Sequence, residues 1–150
     1  MPNLSTKKTK EEKLSLTNHE VQCIYNWLYG ILLHGEKARF RNKVMSYITP
    51  LVVAYESDRI KILQDKCKKK EDGTPDFDAE NKYTFEKDVE EEVRAKMDKL
   101  MKEEIPFTLD KERKTLLYYA RQLIKEDFKG QMDVERGRIY DELLSKLETI

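Results

Sequence analysis

The sequence predicts a mostly α-helical fold: an antiparallel hairpin of long helices, a third helix that is acidic, a small β-hairpin-like excursion near 73–85, and a C-terminal helix pair. Three observations predict it. Glycine and proline are scarce, at 5 and 4 of 150 residues. Charged residues make up 39% of the chain, well above the usual quarter, as long solvated helices require. Apolar residues recur at steps of three and four through most of the chain, the period of a helix with one buried face.

The hairpin opens at Leu16-Thr17-Asn18-His19-Glu20-Val21. Thr17 can accept from the amide of Glu20, and Glu20 can reach back to the amide of Thr17. This is a capping box, with Leu16 and Val21 placed as its hydrophobic staple. Val21, Ile24, Tyr25, Leu28, Ile31 and Leu32 then share one face, so the first helix is expected over 18–34. Gly35 is expected to stop it in a left-handed conformation, with His34 capping its last turn. The second helix is expected from Glu36 to Glu71, with Phe40, Val44, Ile48, Leu51, Tyr55 and Ile62 in a near-heptad stripe. Pro50 removes one helical hydrogen bond. The stripe keeps its phase across it, which favours a kink over a break.

Residues 1–15 are mostly polar and read as a disordered tail, leaving 16–150 as a single helical domain. Glu71-Asp72-Gly73-Thr74-Pro75 is the strongest turn signal in the chain, and Asn81–Phe85 alternates like a short strand. A third helix is expected over 86–104, with Val89, Val93, Met97, Leu100 and Met101 on one face. Ile105-Pro106-Phe107 is an extended connector, because proline disfavours helix in the residue before it. Asp110 caps a fourth helix over 111–127, with Leu116, Leu117, Ala120, Leu123 and Ile124 inward. Gly130 ends the connection after it. A fifth helix, 134–148, carries Tyr140, Leu143, Leu144 and Leu147.

Charge is balanced overall, 29 basic against 29 acidic residues, so affinity for nucleic acid or an anionic membrane is not expected. It is segregated along the chain, however. Residues 36–70 hold ten Lys/Arg against four Asp/Glu, and 71–112 hold fifteen Asp/Glu against seven Lys/Arg. The two blocks are expected to lie against each other, within or between chains. Cys23 and Cys67, with no apolar leader, suggest free thiols. No apolar run approaches the ~18 residues of a membrane span.

Signatures of catalysis are missing. His19 and His34 stand near opposite ends of the first helix and cannot share a metal within one chain; no HExxH, CxxC, calcium-loop, GxxxxGK[ST], GxGxxG or GxSxG pattern occurs. No catalytic residue, metal or cofactor is assigned, and the protein is expected not to be an enzyme. Two features stand out as binding candidates. Lys37, Arg39, Arg41 and Lys43 open the second helix, where positive charge opposes the helix dipole and calls for an acidic segment, another subunit or an anionic ligand. Tyr25, Trp27 and Tyr29 crowd the first helix. Tyr25 belongs to its apolar face, whereas Trp27 and Tyr29 lie off it. An interface or a second buried face under the C-terminal helices accounts equally well for those two.

Four stretches carry a resemblance: LHGEKARFRNKV at 33–44, EDGTPDF at 71–77, NKYTFEKDVEEEVRAKMDKLMKEEIPF at 81–107, and IYDELLSKLE at 139–148. In these the chain resembles a family of small proteins of unknown function from tailed bacteriophages and prophages, chiefly of Gram-positive hosts. The resemblance implies a phage origin and a setting in the host cytoplasm; it carries no catalytic residues. The leading expectation is therefore a phage accessory protein that binds a host or anti-phage-defence protein. One alternative is a sponge for a nucleotide second messenger, with Arg39, Arg41, Tyr25 and Trp27 at a subunit junction. Another is a virion or tail assembly component, to be found in purified particles. The long second helix, with Ile60, Ile62 and Leu63 on its far half, further suggests a homodimer or higher even oligomer.

Overall fold

A computed structural model describes residues 13–149. The chain runs β1 (Lys13–Thr17), α1 (Asn18–Tyr29), α2 (Gly35–Lys66), α3 (Lys87–Lys102), β2 (Glu104–Thr108), α4 (Lys111–Asp127) and α5 (Val134–Glu148). The fold is mostly helical, as the periodicity requires, with an irregular β excursion between α2 and α3.

The two strands form an antiparallel sheet in which Leu14 faces Phe107 and Leu16 faces Ile105. Leu14, Leu16 and Phe107 are buried, while Lys13 and Ser15 face outward. Successive strand residues point to opposite faces, so the leucines anchor the start of the domain. This corrects the expectation of a tail over 1–15: its last three residues are strand, and the rest, 1–12, lie outside the described residues. Pro106 fits because a two-stranded sheet leaves each strand one free edge.

The capping box forms as expected. Thr17 Oγ1 accepts from Glu20 N at 3.1 Å and Glu20 Oε1 accepts from Thr17 N at 3.0 Å. Asn18 is tied to the far end of α3, its amide to Glu103 O at 3.0 Å and its side chain to Leu100 O at 2.9 Å. Helix α1 is shorter than expected, however. It ends at Tyr29 with Gly30 as its cap, and residues 31–34 form a non-helical link. Ile31 turns into the core and Leu32 out to solvent. Gly35 does adopt a positive φ, +58°, but as the first residue of α2. Hence His34 is the exposed N-cap of α2, without a side-chain capping bond, and not the last-turn cap of α1.

Helix α2 is unbroken across Pro50 and spans roughly 48 Å at 1.5 Å per residue. It packs against α1, α3 and α4. Val44, Ile48 and Tyr55 are buried along it, so the stripe keeps one phase. Thr49 Oγ1 donates to Met45 O at 2.5 Å, one residue before Ser46, whose carbonyl the missing proline amide leaves without its helical donor. Restoring that amide with Pro50→Ala will raise stability by about 1–2 kcal/mol. The proline cost in a helix interior exceeds the entropy proline removes from the unfolded chain. Thermal unfolding checks it; an unchanged or lower midpoint would contradict it.

The helix ends at Lys66, short of Glu71, because Lys68–Lys70 join the excursion. Lys69 bridges to Pro75 and Phe77 to Tyr83. The Asp72 carboxylate holds the turn, accepting from Thr74 N at 3.0 Å and Thr74 Oγ1 at 2.6 Å, and these bonds keep its carboxyl below the ordinary range. Helix α3 then lies along the second half of α2. Lys66 meets Glu92 at 3.4 Å and Lys68 meets Glu86 at 3.9 Å, so the basic and acidic blocks do lie together within one chain. Asp110 and Asp133 cap α4 and α5, accepting from Arg113 N and Arg136 N, each at 2.8 Å. Leu117, Ala120, Leu123, Ile124, Leu143 and Leu147 complete the core.

Candidate functional site

Helix α1 presents different side chains on its two flanks. Trp27 faces the C-terminal helices: its ring lies 5.9 Å from Phe128 and 5.5 Å from Tyr140, edge-on to the latter. The Tyr140 hydroxyl donates to Ile124 O at 3.3 Å, fixing that ring in turn. The buried face under α4 and α5 is thus what occupies Trp27. Tyr25, two residues away, turns elsewhere and stacks on Tyr29 at 5.7 Å. Residues two apart on a helix do not share a face.

The basic opening of α2 is also divided. Lys37 pairs with Asp127 at 3.2 Å and Glu126 at 3.9 Å, both from the end of α4. The compensating carboxylates therefore come from a segment not singled out for that role. Arg41 donates to Ile31 O and, at 3.3 Å, to Asn42 Oδ1, holding the link before α2. Arg39 and Lys43 are exposed and form no ion pair among the described residues. Lys43 borders a groove floored by Phe40 and Tyr119, whose rings stack at 4.0 Å. Lys37, Arg39, Arg41, Lys43, Tyr25 and Trp27 are not gathered into one site within the chain.

Trp27 does belong to a cavity. A space of about 400 Å³ lies between α1, the α4–α5 connection and the start of α5. Trp27, Phe128, Met132 and Ile139 form its apolar wall; His19, Asn26, Gln131 and Arg136 supply its polar edge. A Cβ at Gly130 would stand 2.3 Å from Phe128 Cζ, so a side chain there would push the Phe128 ring out of its place in that wall. Sequence patterning missed the cavity: its residues come from three segments, and only Trp27, lying off the apolar face, hinted at it.

Cys23 lines the same cavity, with Sγ 3.7 Å from His19 Nε2. Burial first, and the Glu20 carboxylate second, push its thiol from an ordinary 9.0 up to about 11, against the pull of Arg136. Two consequences follow in opposite directions of pH. Below pH 9 the thiolate is about a hundredfold scarcer than for an unshifted thiol; the greater nucleophilicity of a more basic thiolate offsets part of this, so iodoacetamide will label Cys23 more slowly by about tenfold or more. Above pH 9 the unfolded chain loses its proton first, and the stability that this thiol contributes falls away as pH rises towards 11. Peptide mapping after timed labelling checks the first; labelling as fast as in the unfolded chain would contradict it.

Among the described residues no group of three or more His, Cys, Asp or Glu side chains could hold a metal ion, and no helix is long and apolar enough to cross a membrane. The fold is a small, mostly helical domain with a two-stranded sheet, a cavity between α1 and α5, and a groove on the outer face of α2. No family model matches the chain, no curated protein is significantly similar to it, and no solved structure matches it.

Proposed function

We propose that this chain is a phage-encoded accessory protein that acts in the host cytoplasm by binding a host protein, of the anti-phage defence in particular, and not by catalysis. The phage setting rests on the resemblance of the four stretches above. The observation that carries the binding role is the outer face of α2. Val53, Ser57, Ile60 and Gln64 follow one another there at steps of four, three and four, along a groove of about 450 Å³. Val53 is 60% and Ile60 37% exposed. Glu56 and Lys61 border the stripe, giving an uncharged strip, with Val53 and Ile60 as its apolar anchors seven residues apart, between charges, the form of many partner-binding helices. Several acidic side chains are meanwhile engaged in structure: Glu20, Asp110 and Asp133 cap helices; Cys67 is buried, and burial pushes the Cys23 thiol up, away from the reactive thiolate.

Affinity capture from phage-infected cells tests this reading, with the native chain beside a Val53→Asp/Ile60→Asp variant. Val53 is mostly exposed and Ile60 about a third exposed, so the variant should stay folded at the assay temperature, which its melting curve checks. The expected result is a host protein retained by the native chain and lost by the variant. Equal capture by both, or turnover of a substrate by the purified protein, would overturn it. A homodimer that the same double substitution splits would assign the stripe to a second copy instead.

A further inference from the structure

We propose that the cavity between α1 and α5 is a binding site for a small organic anion, a carboxylate or phosphate ester with a flat apolar body, held by Arg136 at its charged end and by Trp27 along its body. The volume, about 400 Å³, falls in the range of small-molecule sites, which combine an apolar lining with a few convergent polar groups. The apolar wall is already fixed, because Phe128 and Tyr140 brace the Trp27 ring from α4 and α5. A braced wall costs a ligand little ordering.

The sign of the ligand follows from the lining. It contains one arginine and no carboxylate. The other grooves described here each mix signs or hold an acid: Glu56 and Asp98 beside Arg59 and Arg94, Asp65 beside Lys61, Glu112 beside Lys43, and Glu56 beside Lys61. Glu20, the acid one turn from Cys23, is turned to Thr17 N and Lys146. Arg138, on the same helix as Arg136, is paired with Glu142 at 2.9 Å. The Arg136 guanidinium has no ion pair or side-chain hydrogen bond among the described residues, and its charge reaches the Cys23 thiol inside the cavity. A guanidinium is a fork suited to two oxygens of one anion. His19, Asn26 and Gln131 can serve the remaining polar atoms.

Trp27 is the only tryptophan in the chain, so its emission reports what occupies the cavity. The test titrates the full chain with phenyl phosphate, benzoate and neutral benzyl alcohol, following Trp27 emission and the melting temperature. At least one anion should give a saturable emission change at millimolar concentration and a rise in melting temperature. Binding should weaken about tenfold or more in benzyl alcohol and in Arg136→Ala, with part restored by Arg136→Lys. Preference for phenyl phosphate marks a phosphate ester; preference for benzoate marks a carboxylate. Silence with both anions, equal binding of benzyl alcohol, or a native-like titration of Arg136→Ala overturns the proposal. The Val53→Asp/Ile60→Asp variant should titrate like the native chain, so failure here leaves the α2 surface standing, and the reverse holds too.

Discussion

Leu28→Ala will lower the free energy of unfolding by about 3–4 kcal/mol, while Leu32→Ala, four residues on, will change it by about 0.5 kcal/mol or less. Leu28 is 0% exposed and Leu32 is 94% exposed. Truncating Leu28 removes three buried carbons and leaves a hole among Ile24, Ile31, Val44 and the leucines of α4 and α5, which form one core cluster. Such a cluster is too close-packed to collapse fully around the loss. Truncating Leu32 exposes nothing and empties nothing. For a chain of this size the first variant should melt about 10 °C lower, and urea titration of both should show equal slopes. Comparable losses at the two positions would mean that α1 continues through residue 32 and buries Leu32.

That pair of leucines also marks where local pattern stops being informative. From Val21 to Leu28 the steps of three and four coincide with a real helix, and every apolar position they pick out is buried or half-buried. The same rule carries on to Leu32 because Ile31-Leu32-Leu33 continues the apolar run up to Gly35, past Gly30, where the helix in fact ends. Both are glycines of low helix propensity. The choice between them is made by where Ile31 and Arg41 can dock: Ile31 enters the core and its carbonyl accepts from Arg41.

Strand β1 was hidden for a different reason. Leu14 and Leu16 alternate with polar residues as a strand should, but five residues beside a polar stretch are a weak signal. Their partner Glu104–Thr108 lies some ninety residues away and was legible only as an extended connector. Helices α4 and α5, by contrast, begin at Asp110 and Asp133 and run over the residues their caps and periodicity define, because all the determining contacts are local. The cavity shows the same division. Trp27 stood out by lying off the apolar face, yet Phe128, Met132 and Arg136 join it only once α4 and α5 fold back.

Glu20→Ala will destabilise the fold by about 2–3 kcal/mol, more than the loss of a cap alone, because one carboxylate serves two ends of the domain. Its Oε1 accepts from Thr17 N at 3.0 Å and from Lys146 Nζ at 2.6 Å, joining the first turn of α1 to the last turn of α5. Glu20 is buried, so the pair is worth more than an exposed one, while Lys146, with a side chain 40% exposed, keeps part of its hydration. Three variants separate the two duties. Glu20→Gln can still complete the capping box and loses only the charge, which should cost about 1 kcal/mol. Lys146→Ala leaves the buried carboxylate with the Thr17 amide alone and should cost about 1–2 kcal/mol. The double variant Glu20→Ala/Lys146→Ala should cost less than the sum of its parts by about 1 kcal/mol, the coupling energy of the pair. Strict additivity in urea unfolding would mean that Lys146 does not engage Glu20 in solution; the carboxylate would then act through the capping box alone, and Glu20→Gln would be nearly silent.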